Sequence, residues 1–321
     1  MMQRLWHRMR LGRFVVLGRV GMDLYADPPG TRIEDAAHYV SAIGGSAGNI
    51  AVALARQGME AGLLSCLSDD AVGRYCRGEL ARYGVGTAHV RLVAGGVRTS
   101  LAVTETRAKG CQTVLYRNGA ADFDLTEADV AAVDFAPLAA LVVTGTALAA
   151  EPSRRAAMMA IDRARHAGAL VVFDIDYRAY SWASRNQAAE TCLIAADQAD
   201  VVVGNDEEFA LLAGDTDGLA LARHMARETA LLVVYKQGAA GSMTFTGDFG
   251  FTTGIYPVAA QKPTGAGDGF MGGLLAGLAR GHTIDAAIRR GSATAAIVVS
   301  GIGCAPASPD EAMLETFLAQ H

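Results

Sequence analysis

The sequence predicts an α/β protein of three layers, α/β/α, around a mostly parallel central sheet. Two observations carry that prediction. Short apolar runs of strand length alternate with helix-length segments over most of the chain, the order that builds parallel strands through helical crossovers. Most of these runs end in polar, chemically capable residues, which sets a row of functional loops along the C-terminal edge of the sheet. A third observation marks an exception. Residues 90–118 hold two β-prone runs, Thr99–Thr106 and Gln112–Tyr116, separated by Arg107-Ala108-Lys109-Gly110, which reads as a hairpin turn. This antiparallel piece interrupts the alternation and looks like an insertion that covers a site.

The chain has 321 residues and is 51% hydrophobic, enough for one large α/β domain or two smaller ones with ample core. A net charge of -5 offers no polyanion-binding face, which argues against nucleic acid as a partner. Five cysteines are scattered without metal or redox spacing, as reduced cytoplasmic thiols are. No apolar run reaches membrane-spanning length, so no membrane partner is expected. Residues 1–12 are basic (Arg4, Arg8, Arg10) and lack the apolar segment of a signal peptide. They read as a disordered or loosely attached extension, with Met9 as an alternative start, ahead of one domain over 13–321.

Arg13–Gly18 is the first buried strand. Asp23 follows just past its end, where open α/β sheets bind ligands; a turn carboxylate capping local N–H groups is an equal alternative. Gly44-Gly45-Ser46-Ala47-Gly48-Asn49 reads as a loop entering a helix, with Ser46 as its cap and Gly58 as its stop. Asn49 lies in the first turns, aimed at a ligand or resting on an exposed face. Gly62–Leu67 is a strand and Asp69–Tyr83 a helix. Tyr116, Arg117 and Asn118 end the insertion, either reaching inward or on a solvated strand end. Leu141–Gly145 is a strand, and Pro152–His166 a helix closed by Gly168. Three further strands follow. Leu170–Asp174 runs into Ile175–Trp182, Val201–Gly204 into Asn205-Asp206-Glu207-Glu208, and Leu231–Tyr235 into Lys236-Gln237-Gly238-Ala239-Ala240-Gly241.

The stretch Pro263-Thr264-Gly265-Ala266-Gly267-Asp268 carries the chemistry. Small residues at the start of an apolar helical run leave backbone N–H groups without intrahelical partners, at the positive end of the helix dipole. That is an anion site, most naturally for phosphate. An acid beside it repels phosphate unless it has work there, and taking a proton from an incoming hydroxyl is such work. For an isolated Gly-x-Gly-Asp, an ordinary helix start is the commoner reading. The P-loop, the dinucleotide fingerprint, the zinc-protease motif and the nucleophile elbow are all absent.

Taken jointly, Gly44-Gly45-Ser46 with Asn49, and Thr264-Gly265-Ala266-Gly267-Asp268, resemble the two signatures of the ribokinase-like (PfkB) carbohydrate kinases, in the right order and separation. Asn205-Asp206-Glu207-Glu208 resembles that family's Asn-x-x-Glu motif. The resemblance covers about residues 13–310. Tyr116–Asp122, Val143–Ala149 and Asp174-Ile175-Asp176-Tyr177-Arg178-Ala179-Tyr180-Ser181-Trp182 are similar to the branch of the family that phosphorylates 5-dehydro-2-deoxy-D-gluconate at its 6-hydroxyl in inositol catabolism. Kinases of 2-keto-3-deoxygluconate, fructose or ribose are the alternatives, and a non-catalytic sugar-binding regulator is the reading from another class.

The resemblance implies a small β-sheet lid from about 22–43 and 90–118, ATP and Mg²⁺ as cofactors, and K⁺ as a further one near residues 264–308. It implies Asp268 as the base and Gly265, Ala266 and Gly267 as the anion hole. Asp23, Gly44, Gly45, Asn49, Arg117 and Arg178 would bind the sugar, Arg178 facing its carboxylate or the travelling phosphate. Asn205 and Glu208 would organise Mg²⁺ through water. Lys236, Gly238, Gly241, Thr264 and Ser292, with Asn205 and the anion-hole glycines, would border the nucleotide. A homodimer through the lid is a further expectation.

Overall fold

The computed structural model describes residues 2–107, 110–214, 216–262 and 264–321. Thirteen strands are described: β1 (Arg13–Leu17), β2 (Gly21–Asp27), β3 (His38–Gly44), β4 (Glu60–Ser68), β5 (Val90–Val93), β6 (Ser100–Thr104), β7 (Thr113–Tyr116), β8 (Ala140–Thr144), β9 (Leu170–Asp174), β10 (Val201–Asn205), β11 (Leu232–Lys236), β12 (Ser242–Thr246) and β13 (Phe249–Thr253). Nine of them make one sheet in the order β13-β12-β11-β10-β9-β8-β1-β4-β5. Its pairs from β11 to β5 are parallel, and β12 and β13 close one edge antiparallel.

Alternation along the strands feeds two cores, because successive side chains point to opposite faces. From β1, Val15 and Leu17 pack on the side of α4 (Glu127–Ala131), α5 (Ser153–His166), α6 (Arg185–Ala196), α7 (Asp206–Leu212) and α8 (Gly218–Glu228). Phe14 and Val16 pack on the opposite side, with α1 (Met2–Met9), α2 (Ser46–Arg56), α3 (Ala71–Arg82), α9 (Ala266–Ala279), α10 (Ile284–Val299) and α11 (Cys304–Ala307). A last helix, α12 (Glu311–Gln320), packs on α10. No helix among the described residues is long and apolar enough to cross a membrane.

The second sheet has the order β3-β2-β6-β7. It joins two antiparallel hairpin pairs through a parallel β2–β6 contact. Of the insertion read at 90–118, the first part departs from the sequence expectation. Residues 90–93 form β5 and pair with β4 at the edge of the main sheet, so the lid contribution begins at Ser100. Of the hairpin turn, Ala108 and Lys109 lie outside the described residues.

The N-terminal segment also departs from expectation. Residues 2–9 form α1, with Leu5 and Met9 fully buried. Arg4 reaches Asp200 at 2.8 Å, and Arg8 donates to the carbonyls of Ala136 and Ala167. The basic residues that suggested a loose tail are instead the polar face of a helix whose other face completes the core. Leu5→Ala is therefore expected to cost roughly 2–5 kcal/mol in a denaturant melt, as truncation of a buried leucine does. A loosely attached segment would show a change within about 0.5 kcal/mol.

Candidate active site

The sheet register sets three polar side chains in a row. Asn205 pairs with Lys236, and Val203, two residues before Asn205, pairs with Asp174, so the ends of β9, β10 and β11 open side by side. They form the floor of a cleft of about 1210 Å³, roofed by lid residues Ala102, Thr113, Val114 and Leu115. One drug-sized ligand needs roughly 300–1,000 Å³, so this cleft has room for two ligands in line.

Asp268 stands at its middle, in the first turn of α9. Gly265, the residue before that helix, has φ 85°, a left-handed conformation that side chains resist. A Cβ there would also lie 2.2 Å from Cys304 Sγ. The turn therefore presents bare backbone to the cleft. A Cβ on Gly267 would sit 3.4 Å from Lys236 Nζ, which puts that ammonium over the same turn. Asn49 Nδ2 donates to Asp268 Oδ2 at 2.8 Å, and Asn49 Oδ1 is buried with no partner among the described residues. An unpaired buried oxygen here is a place for a ligand hydroxyl.

Asp176 is the hub of the other end. Its φ of 37° is rare for a residue with a side chain, a conformation kept where surrounding contacts enforce it. Those contacts are visible: Oδ2 accepts from Ser46 Oγ (2.6 Å) and Thr146 Oγ1 (3.0 Å), and Oδ1 pairs with Arg178 at 2.9 Å. Arg178 is half exposed at the cleft, its charge reinforced by Asp176. Burial pushes Asp174 well above the usual carboxylate range against the pull of Lys236, and Asp176, Glu208 and Asp268 push the same way. Burial, then the Asp176 charge, raises Asp268 to about 6, while Asn49, Arg178 and Arg19 work against that rise.

Asn205 and Glu208 form a capping box at the start of α7. Asn205 Oδ1 accepts from Glu208 N at 2.8 Å, and Glu208 Oε2 accepts from Asn205 N at 2.7 Å. Glu208 Oε1 also accepts from Tyr177 N, tying α7 to the segment that carries Asp176 and Arg178. Both line the cleft. Among the described residues no three His, Cys, Asp or Glu side chains converge as a direct metal chelate.

Of the residues singled out from sequence, Asn49, Arg178, Asn205, Glu208, Lys236, Gly238, Gly241, Thr264, Gly265, Ala266, Gly267, Asp268 and Ser292 line this cleft. Asp23, Gly44 and Gly45 are not among the residues that line it. A Cβ on Gly44 would meet Asp23 Oδ1 at 1.9 Å, and Gly45, with φ 90°, is the residue that caps α2. Ser46 is thus inside the helix and serves Asp176, not the cap. Arg117 does not face the cleft. It is buried on Asp122 at 2.5 Å, donates to the carbonyl of Thr146 at 3.0 Å and stacks over Phe123. A lone arginine at a strand end gives no sign that a carboxylate five residues on will hold it inside.

Sequence reasoning left out Arg19, Ser46, Thr146, Asp174 and Asp176, all of which line the cleft. For the last two the signal was present: Asp174 ends β9 and Asp176 stands two residues past it, at the strand end where open α/β sheets bind ligands.

A model of the pfkB family of carbohydrate kinases matches residues 12–311. The chain belongs to that family. A 5-dehydro-2-deoxygluconokinase of Photobacterium profundum is 40% identical over 310 residues, 95% of this chain and 94% of its own length. A double mutant of fructokinase from Vibrio cholerae O395, solved with fructose, ADP and a potassium ion bound, matches with a TM-score of 0.84 and 27% identity over 95% of this chain and 98% of its own. Aminoimidazole riboside kinase from Salmonella enterica, complexed with aminoimidazole riboside and an ATP analog, matches with a TM-score of 0.81 and 25% identity over 96% of this chain and 99% of its own. This pfkB protein is thus a carbohydrate kinase with the ribokinase-like fold.

A base works only when deprotonated, so with Asp268 proposed for that role its state predicts a pH profile. The limiting kcat/KM should be reached above about pH 6 and fall roughly tenfold per pH unit below it. Asp176→Asn removes a charge that raises Asp268 and is expected to move this limb to lower pH. An unmoved limb would separate it from Asp268.

Proposed function

We propose that the protein transfers the γ-phosphoryl group of ATP to the 6-hydroxyl of 5-dehydro-2-deoxy-D-gluconate. The observation that carries the chemistry is the Asp268 carboxylate beside an exposed helix-start turn, hydrogen-bonded to Asn49 and facing a cleft with room for two ligands. The substrate is favoured by the full-length likeness to a kinase named for it, and by the half-exposed guanidinium of Arg178, which lines the cleft. Kinases of 2-keto-3-deoxygluconate remain the nearest alternative reading, since the same arginine suits any sugar acid.

In this reading the sugar lies between Asn49, Arg19, Arg178 and the lid strands. ATP lies along Lys236–Gly241, Tyr256–Val258 and Ser292–Ala296. Asp268 accepts the proton of the attacking hydroxyl as its oxygen bonds to the γ-phosphorus and ADP departs. The N–H groups at the start of α9 and the Lys236 ammonium receive the charge that spreads over the transferred group. A loose phosphoryl-transfer transition state needs this positioning more than a strong base, which a carboxylate near 6 provides.

Mg²⁺ fits the donor chemistry: hard oxygens from Asn205, Glu208 and Asp174 crowd one edge of the cleft, where mutual repulsion favours a cation. With the Asn205 oxygen already accepting from Glu208 N, Asn205 and Glu208 would hold it through water. When bound, the ion neutralises phosphate oxygens. We also place self-association at the lid, whose strands expose Tyr39, Val40 and Tyr116.

Asp268→Asn should lower kcat by at least ~100-fold, the range for loss of a general base, with an unchanged melting temperature. Near-normal turnover in that variant would falsify the base assignment. A coupled ADP-release assay with 5-dehydro-2-deoxygluconate, 2-keto-3-deoxygluconate, fructose and ribose tests the substrate. Arg178→Ala is expected to depress kcat/KM for the acids at least about tenfold more than for the neutral sugars, the worth of one charged contact. Equal losses would assign Arg178 to the phosphate.

A further inference from the structure

Lys262 is fully buried, at 0% exposure. Its Nζ donates to the carbonyl oxygens of Thr264 (2.8 Å) and Val298 (3.4 Å) and to Cys304 Sγ (3.5 Å). An ammonium has three protons to give, and here three acceptors from separate segments take them. None is a carboxylate. The buried Asp23 carboxylate is near enough to feel this charge but takes none of its hydrogen bonds, and burying a charge is costly, so a lysine in this setting calls for a reason.

Its surroundings supply one. Val298 lies in the last turn of α10, where carbonyls lack intrahelical partners and the dipole is negative. The neighbouring Val299 carbonyl accepts from Gln261 N at 2.8 Å and from Lys262 N at 3.4 Å, so these two residues lie across that helix end. Thr264 immediately precedes Gly265. Cys304 Sγ fills the space where a Cβ on Gly265 would stand. Burial holds the Cys304 thiol up, to about 11, so it is a neutral ligand. The ammonium therefore joins the end of α10 and Cys304 to the turn that presents its N–H groups to the cleft. Carbonyl oxygens gathered on one small monovalent charge are also the coordination that suits a potassium ion.

We propose that Lys262 is a built-in monovalent cation: its ammonium holds the anion-hole turn in place, and the enzyme works without free potassium. The K⁺ expected near residues 264–308 does not fit here, because the carbonyls that would hold it are already taken by Nζ. The inference rests on residues 265–267 acting as the anion hole. Lys262 acts through that turn and is a positioning residue.

The test uses the full-length protein, Mg-ATP and whichever sugar it accepts, in sodium, potassium, ammonium and Tris salts of equal ionic strength. Wild-type kcat should vary less than about twofold across the series, whereas loss of support to an anion hole should cost Lys262→Ala about tenfold or more in kcat. Its KM for the sugar should stay within about threefold, since the turn serves the transition state more than ground-state binding. Potassium or methylammonium should restore part of the lost kcat, and potassium should raise the melting temperature of the variant and not of wild type. These melts report cation occupancy whether or not the sugar assignment is right. Strong potassium activation of wild type overturns the proposal. So does a folded Lys262→Met with wild-type kcat. Should Lys262→Ala not fold, the wild-type salt series and Lys262→Met still decide.

Discussion

The site depends on how closely α2 and α9 approach. Asn49 and Ala53 are one turn apart on α2, and Asp268 and Gly272 are one turn apart on α9, so each pair shares a helix face. A Cβ on Gly272 would stand 2.3 Å from that of Ala53. With no side chain there, the helices come near enough for Asn49 to hold the Asp268 carboxylate one turn above. The same helix is pinned from its other side, where Gly273 would meet Thr294 and the carbonyl of Arg290 on α10. The Asp268 end of α9 is thus fixed by small residues deeper in the core, where packing leaves little freedom.

Charge is balanced around that fixed point. Four acids line the cleft (Asp174, Asp176, Glu208 and Asp268) with Arg19, Arg178 and Lys236 among them. Burial raises Asp174 and Asp268, and the neighbouring carboxylates raise these two further. A carboxyl tuned towards neutrality at Asp268 follows from this burial and crowding with no special group assigned to the task. The strained backbone at Asp176 belongs to the same arrangement, since Ser46, Thr146 and Arg178 hold it from different directions. Bound phosphate and its cation would enter a site already built to trade charge.

Much of the fold was legible because it rests on period. Apolar runs of four or five residues between helical segments become parallel strands wherever helices cover both faces. The glycines before Asp268 were legible for a related reason: few residues tolerate the backbone such a turn requires. What was missed concerned charged side chains whose partners are distant. Arg117 read as a lid residue because Asp122 and Thr146 gave no hint that they would enclose it. The basic N-terminus read as a tail because a single amphipathic turn or two has no visible partner in sequence.

The sequence by itself determined the class of fold, the row of polar strand ends and the helix start with its acid, because these follow from local periodicity and backbone stereochemistry. Tertiary structure decided which polar residues meet. Ser46 and Asp176 lie 130 positions apart, and Asn49 and Asp268 lie 219 apart. Whether a buried charge is a binding group, a support or a prop for another helix depends on the acceptors that folding brings to it. Lys262 is the clearest case: in sequence it is one lysine before a proline, and in the fold it is the cation that holds the Thr264 carbonyl just ahead of the Gly265 turn.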